Sequence, residues 1–197
     1  MSFNFIELFS GAGGQSTGLI MAGLTPLLLN DNNKDCCSTL KNNHNNIKVV
    51  QESMETVDLS VYKNVDLLIG SPPCQSFSQA GNREGFDDER GTLLLTFISK
   101  VFILKPKVFI IENVKGLLTH SKGETIKKII SIFDSTDYTI QYKLLNAVNY
   151  DVPQKRERVF IVGTLKGLQF SFPEKTSKII PLKDVLENVP VSECAKY

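Results

Sequence analysis

Apolar residues in this chain fall in short, nearly unbroken runs, separated by longer stretches in which they recur at helical spacing. The runs at residues 3–8, 25–30, 47–50, 65–70 and 107–112 predict strands, and their continuity predicts a sheet covered on both faces, as parallel sheets are. Leu94, Phe97, Ile98 and Val101 follow i, i+3, i+4, i+7 spacing, as do Ile126, Ile129, Ile130 and Phe133. Both sets predict amphipathic helices. Residues 15–22, with Gly23 behind them, predict a helix and its C-terminal stop. Residues 138–145 and 158–163 predict two further strands, close enough in sequence to pair. The alternation from residue 3 to about 164 predicts an α/β fold, a doubly wound, mostly parallel sheet ending in an antiparallel strand pair. Past Thr164 the chain carries Pro173, Pro181 and Pro190, many lysines and one short helical candidate at Leu182–Leu186. Residues 1–164 therefore read as the domain, and 165–197 as a tail or the start of a connection. The Asn-rich stretch at 30–46 is a compositional bias without a functional reading.

Composition adds exclusions. With 22 Lys plus Arg against 21 Asp plus Glu over 197 residues, the formal net charge is +1, too small a field for a polybasic nucleic-acid binder, though not for a local basic site. No apolar run approaches the roughly 18 residues that span a bilayer, and the N-terminal segment places Glu7 inside its apolar stretch, unlike a secretion signal. Cys36, Cys37, Cys74 and Cys194 form no C-x-x-C pair, and His44 and His120 are the only histidines. A disulfide framework and a zinc site are both disfavoured. A cytoplasmic, metal-free protein with no membrane association is expected.

In an open α/β sheet ligands bind beyond the carboxyl ends of the strands, so the residues just after each strand matter most. The first strand runs into Phe9-Ser10-Gly11-Ala12-Gly13-Gly14 and a helix, a loop that allows close backbone approach and offers helix N-terminal N–H groups. No Gly-Lys-Ser/Thr comes after it, which argues against a nucleotide-hydrolysing phosphate loop. The second ends at Asn30-Asp31, where an acid can accept ribose hydroxyls, and the third at Gln51-Glu52. Together they suggest an adenosine-containing cofactor, against the alternative of turn glycines and solvated acids. The fourth ends in Ser71-Pro72-Pro73-Cys74, a stiff turn suited to presenting a nucleophile, whereas most isolated cysteines are small buried hydrophobes. The fifth delivers Glu112, either a desolvated acid or one half of an ion pair. Gln154-Lys155-Arg156-Glu157-Arg158 puts three cations in five residues. Beside a cysteine, an acid and a cofactor loop, oxyanion or phosphate binding is favoured over a solvated charged loop.

In this order the pieces resemble the cytosine-5 DNA methyltransferases, the bacterial restriction–modification type especially, over residues 5–164. The resemblance is carried by Phe9 to Gly14, Pro72-Pro73-Cys74-Gln75-Ser76-Phe77-Ser78, Arg90-Gly91-Thr92-Leu93, Glu112-Asn113-Val114 and Gln154 to Arg158. It implies a Rossmann-like S-adenosylmethionine-dependent methyltransferase fold and S-adenosylmethionine as methyl donor, leaving S-adenosylhomocysteine. Phe9, Gly11, Ala12, Gly13 and Gly14 would contact the cofactor, with Asp31 on the ribose, Glu52 on the adenine, and Pro73 and Leu93 lining the pocket. Cys74 would attack C6 of a cytosine flipped out of duplex DNA, Glu112 would protonate N3, and Arg158 and Arg156 would hold O2 and nearby phosphates. Contacts to DNA are implied for Gln75, Ser78, Arg90, Gln154 and Arg156. Residues 75 to about 89 match the family's mobile catalytic loop.

Two positions depart from the family pattern. Asn32 stands where a bulky residue packs on adenine, and Ser53 replaces an apolar contact, which leaves both as weak members of the cofactor set. Nothing after Thr164 resembles the family's target-recognition domain or its final motif. The chain is therefore expected to be the catalytic part of a split or truncated enzyme, a second polypeptide supplying both in the split case. A tRNA-modifying member of the family and a non-catalytic S-adenosylmethionine- or DNA-binding subunit are the alternatives.

Overall fold

The computed structural model describes residues 3–73, 89–176 and 178–186, with backbone alone for 89–92. Seven strands form one sheet in the order β3-β2-β1-β4-β5-β7-β6. These are β1 (Asn4–Leu8), β2 (Thr25–Asp31), β3 (Val49–Gln51), β4 (Leu67–Gly70), β5 (Val108–Val114), β6 (Tyr138–Asn146) and β7 (Glu157–Leu165). β1 to β5 pair in parallel, and β7 inserts antiparallel between β5 and β6. The sheet is thus the doubly wound, mostly parallel one expected, closed by the antiparallel strands. The chain winds outward from β1 to β3, then returns to lay β4 on the other side of β1. The switch point lies where Leu8 pairs with Gly70, and a crevice opens there.

Strand alternation divides the core in two. Ile6, Leu8, Leu28 and Leu68 point into a large cluster with Phe97 of α3 (Glu89–Leu104), Ile129 of α5 (Glu124–Ser131) and Phe133. Phe5, Leu29, Leu67 and Ile69 point the other way, into a smaller cluster beneath α1 (Gly14–Met21) and α2 (Lys34–Asn43). Phe109 stacks on Phe133 at 4.9 Å between centroids. Its register partner on β7 is Gly163, and a side chain there would meet the Phe109 ring at 2.0 Å. Glycine is what lets this aromatic layer lie flat against β7.

α2 is absent from the elements predicted above, and its composition explains why. It buries only Cys37 and Leu40, three residues apart, so its apolar face is too narrow to register as a period. The helix is set by its start: Asn33 accepts from Asp35 N and Cys36 N as an N-cap. β5 runs two residues past its expected end, so Glu112 and Asn113 are strand residues with opposite faces. β7 ends at Leu165, and part of the expected tail is fastened to the domain. Thr176 N donates to Asn149 O at 2.9 Å and Gln141 Nε2 to Phe170 O at 3.3 Å, bringing residues 170–176 back over β6 to the turn Ala147–Asn149. α4 (Gly116–Thr119) and α6 (Leu182–Leu186) complete the described elements. Among the described residues no helix is long and apolar enough to cross a membrane.

Candidate functional site

The loop after β1 is built by backbone geometry. Phe9, Gly11 and Gly13 all hold positive φ, at 58°, 55° and 93°. Gly13 is doubly constrained, because a Cβ there would sit 2.8 Å from Leu40 Cδ2. Asp31, one strand over, braces the turn. Its Oδ2 accepts from Gly11 N at 2.8 Å and its Oδ1 from Asn33 N at 2.9 Å. Each carboxylate oxygen keeps further acceptor capacity toward a ligand. The loop and the end of β2 are therefore one unit.

The remaining adenosine candidates lie along the same edge, at the ends of β2 and β3. Asp31 is in register with Gln51, which places Glu52 just beyond. Glu52 and Asn32 are exposed, and the Glu52 carbonyl is held at 2.8 Å by the buried Asn30 amide. Ser53 is turned to local use, its hydroxyl donating to Glu55 Oε2 at 3.1 Å. Pro73 is half-buried, and Leu93 packs against the large core cluster.

Across the crevice the site is made of side chains. Glu112 is only 14% exposed and accepts from Arg158 Nε at 2.9 Å, with Arg156 Nη2 at 3.9 Å from the same oxygen. The antiparallel register makes this possible: Val114 pairs with Arg158, so the start of β7 reaches the end of β5. Glu112 is ion-paired, and its partners are the cations that the sequence placed in the same site. Asn113, on the opposite face and buried, donates from Nδ2 to Pro72 O at 3.1 Å and so ties the end of β5 to the proline turn. Cys74, Gln75 and Ser78 lie outside the described residues, and Arg90 is described by its backbone only. Gln154 is exposed, its N–H donating to Val152 O.

One cavity of about 640 Å³ joins the two sides. Phe9 and Gly14 line one wall, and Glu112, Arg156 and Arg158 the other. Gly11, Ala12, Gly13, Asp31, Asn32, Glu52, Ser53, Pro73, Leu93 and Gln154 are not among its lining residues. Several lining residues were given no site role from the sequence, among them the polar Glu7, Gln15, Ser71 and Tyr150. Gln15 and Ser71 join the glycine loop to the proline turn, with Ser71 Oγ donating to Gln15 Oε1 at 3.3 Å. Glu7 did leave a signal, as the one acid inside the first apolar run. It is fully buried, and neither carboxylate oxygen has a hydrogen-bond partner. The neighbouring hydroxyls of Ser10 and Ser16 donate instead to the carbonyls of Glu7 and Gly13. Burial pushes the Glu7 carboxyl up from 4.5 to about 7; Ser16 and Ser10 oppose the rise and Asp31 adds to it. Among the described residues no group of three or more His, Cys, Asp or Glu is placed to hold a metal ion.

Residues 3–196 match the family model for C-5 cytosine-specific DNA methylases. The chain is 41% identical to Type II methyltransferase M.Eco47II of Escherichia coli, a match covering 99% of this chain and 50% of that protein. It is 40% identical to Type II methyltransferase M.AquIA of Picosynechococcus, across 89% of this chain and 77% of the other. Among solved structures, DNMT2 of Spodoptera frugiperda superposes with a TM-score of 0.70 at 25% identity, covering 91% of this chain and 55% of that one. The chain spans about half the length of most curated relatives that it matches.

Proposed function

The chain belongs to the C-5 cytosine-specific DNA methylase family, and from that premise we propose that its cavity transfers a methyl group from S-adenosylmethionine to C5 of cytosine in duplex DNA. The observation that carries the proposal is the convergence, in one cavity, of the glycine loop on one wall and the Glu112–Arg158–Arg156 cluster on the other. The proline turn leading to Cys74 is tied to that second wall through Asn113.

The residues of the first wall suit the cofactor on their own geometry. Glu7 is a buried acid with only the polar groups of Ser10 and Ser16 near it and no cation among the causes of its shift, so it would serve as a counter-charge for a cation. Gly11 and Gly14 have open space where a side chain would project, so a ligand can approach the backbone there. When bound, S-adenosylmethionine supplies an electrophilic methyl group. Phe9 and residues 11–14 would hold it, Asp31 would accept from its ribose, and Glu52 would read its adenine from the next strand end. Pro73 and Leu93 enclose it, and Asn32 and Ser53 make the weaker contacts.

The second wall activates the base. The Cys74 thiolate adds to C6 of an extruded cytosine while Glu112 delivers a proton to N3, so the ring electrons collect at C5. Arg158 transfers a hydrogen bond from Glu112 to the cytosine O2, and Arg156 neutralises the neighbouring phosphate. Once C5 carries the methyl group it gives up its proton to solvent, the C6–S bond breaks, Glu112 recovers the proton from N3, and the thiolate and the aromatic ring are restored. Extrusion is required because C5 and C6 are not approachable from above and below within the stack. Gln75, Ser78, Arg90 and Gln154 contact the DNA around the extruded base. Base-sequence readout belongs to the half of the relatives that this chain does not match, whether joined to it or on a second polypeptide.

The relatives named Type II methyltransferases favour DNA over tRNA as substrate. A methyl-transfer assay with labelled cofactor, offering duplex DNA against tRNA, tests this, with and without a complementing polypeptide. Methylation confined to DNA is expected, and transfer to tRNA alone would overturn the assignment.

A further inference from the structure

The two arginines of the second wall reach it by different means. Arg158 belongs to β7 and is fixed by the ladder on both sides, in register with Val114 of β5 and Leu145 of β6. Arg156 precedes the strand, which begins at Glu157 opposite Asn146. One step further, Ala147 and Arg156 would form the next antiparallel pair and exchange two backbone hydrogen bonds. Only the first of these is made in the regular way, with Ala147 N donating to Arg156 O at 3.0 Å. The Ala147 carbonyl accepts instead from Tyr150 N at 2.9 Å, which closes the turn Ala147–Asn149. The acceptor that a continuing ladder would offer to Arg156 N–H is thereby committed to the turn.

Asn146 supplies a substitute from its side chain. Its Oδ1 accepts from Arg156 N at 3.2 Å and from Val148 N at 3.4 Å, capping the turn and closing the loop 147–156 at its neck. Of the two amide atoms only the oxygen accepts, so these two N–H groups fix the orientation of the side chain. The loop closed in this way puts Ala147, Tyr150, Val152 and Arg156 on the cavity wall, while Asn146 itself is not a lining residue. Arg156 stands there half exposed, its Nη2 3.9 Å from Glu112 Oε1, against 2.9 Å for Arg158 Nε. So long and exposed an ion pair contributes little to holding a guanidinium in place, and the backbone must do so. We propose that Asn146 is the positioning residue for Arg156: its side-chain oxygen stands in for the missing ladder acceptor and sets the guanidinium at the rim of the cavity, where it meets a DNA phosphate. The proposal rests on the assignment of Arg156 to a phosphate made above and adds the residue through which the fold places it.

Two measurements on the full chain test it. In amide hydrogen exchange the Arg156 N–H of the wild type is expected to be protected. Asn146→Leu is expected to speed its exchange about fivefold or more, and Asn146→Asp, which keeps the acceptor, to leave it near the wild-type rate. An unprotected Arg156 amide in the wild type overturns the proposal whether or not the variants fold. The second measurement is duplex-DNA affinity across a salt series, with any complementing polypeptide present. Asn146→Leu is expected to reduce the slope of log affinity against log salt by about one, as Arg156→Gln does, and the double variant to reduce it no further. A slope unchanged in Asn146→Leu, or losses that add in the double variant, overturns the proposal. Failure of the wild type to bind duplex DNA at all overturns the DNA assignment itself, a result distinct from normal binding with an unchanged slope.

Discussion

Each wall of the cavity holds one acid, Glu7 fully buried and Glu112 partly so, and the two treat it in opposite ways. Glu112 stands between two guanidiniums delivered by β7, so its charge is answered inside the protein. Glu7 stands among Leu29, Ile69 and two serines that donate elsewhere, so its charge has no answer until something enters. The difference teaches what each wall is for. On the proposed function, the self-neutralised cluster would present donors to a neutral base and need no ionic partner from outside. On the same proposal, the buried carboxylate beside the glycine loop would face the cationic cofactor. Construction follows the same division, with the cofactor wall made of backbone turns and the base wall of side chains brought together by antiparallel register.

Breaking the base wall should give the largest effect. Glu112→Gln keeps the shape and removes the proton, and turnover is expected to fall by about 10²- to 10⁴-fold, while S-adenosylmethionine affinity, read by titration, changes little. Equal loss of affinity would mean that the two walls are not separable. The cofactor wall can be probed without ligand through stability. In the folded chain Glu7 has its carboxyl raised from 4.5 to about 7, so the folded state keeps a proton that the unfolded state releases. Stability should be highest below the lower value and fall as pH rises through the upper one, by about 3 kcal/mol at about 1.4 kcal/mol per pH unit. Urea unfolding across that range measures it. Glu7→Gln should remove this slope, and an unchanged slope in the variant would assign it to other groups.

Much of this was legible in the chain itself. Parallel strands buried on both faces leave continuous apolar runs, so β1, β2, β4 and β5 could be located, and the residues at a strand's carboxyl end point to a binding edge. The glycine loop was legible because positive φ at Gly11 and Gly13 leaves a compositional mark. α2 was not, since Cys37 and Leu40 alone form its buried face. The meeting of Glu112 with Arg158 depends on β7 running antiparallel beside β5, and no local spacing encodes a register between strands so distant in sequence. Glu7 was visible as an acid in an apolar run, but the absence of a partner is a property of three dimensions. Asn113 shows the same limit: only the extended β5 reveals that it turns away from Glu112 to hold the carbonyl of Pro72.

The central claim is that the two walls act on one cytosine through Cys74. The most direct measurement is covalent trapping on duplex DNA containing 5-fluorocytosine, where fluorine replaces the proton that C5 must lose. With S-adenosylmethionine and any complementing polypeptide present, the wild-type chain is expected to form a stable protein–DNA adduct, and Cys74→Ser none, while the variant still binds the cofactor. An adduct that persists in Cys74→Ser, or no adduct from a wild-type preparation that methylates unmodified DNA, would contradict the account.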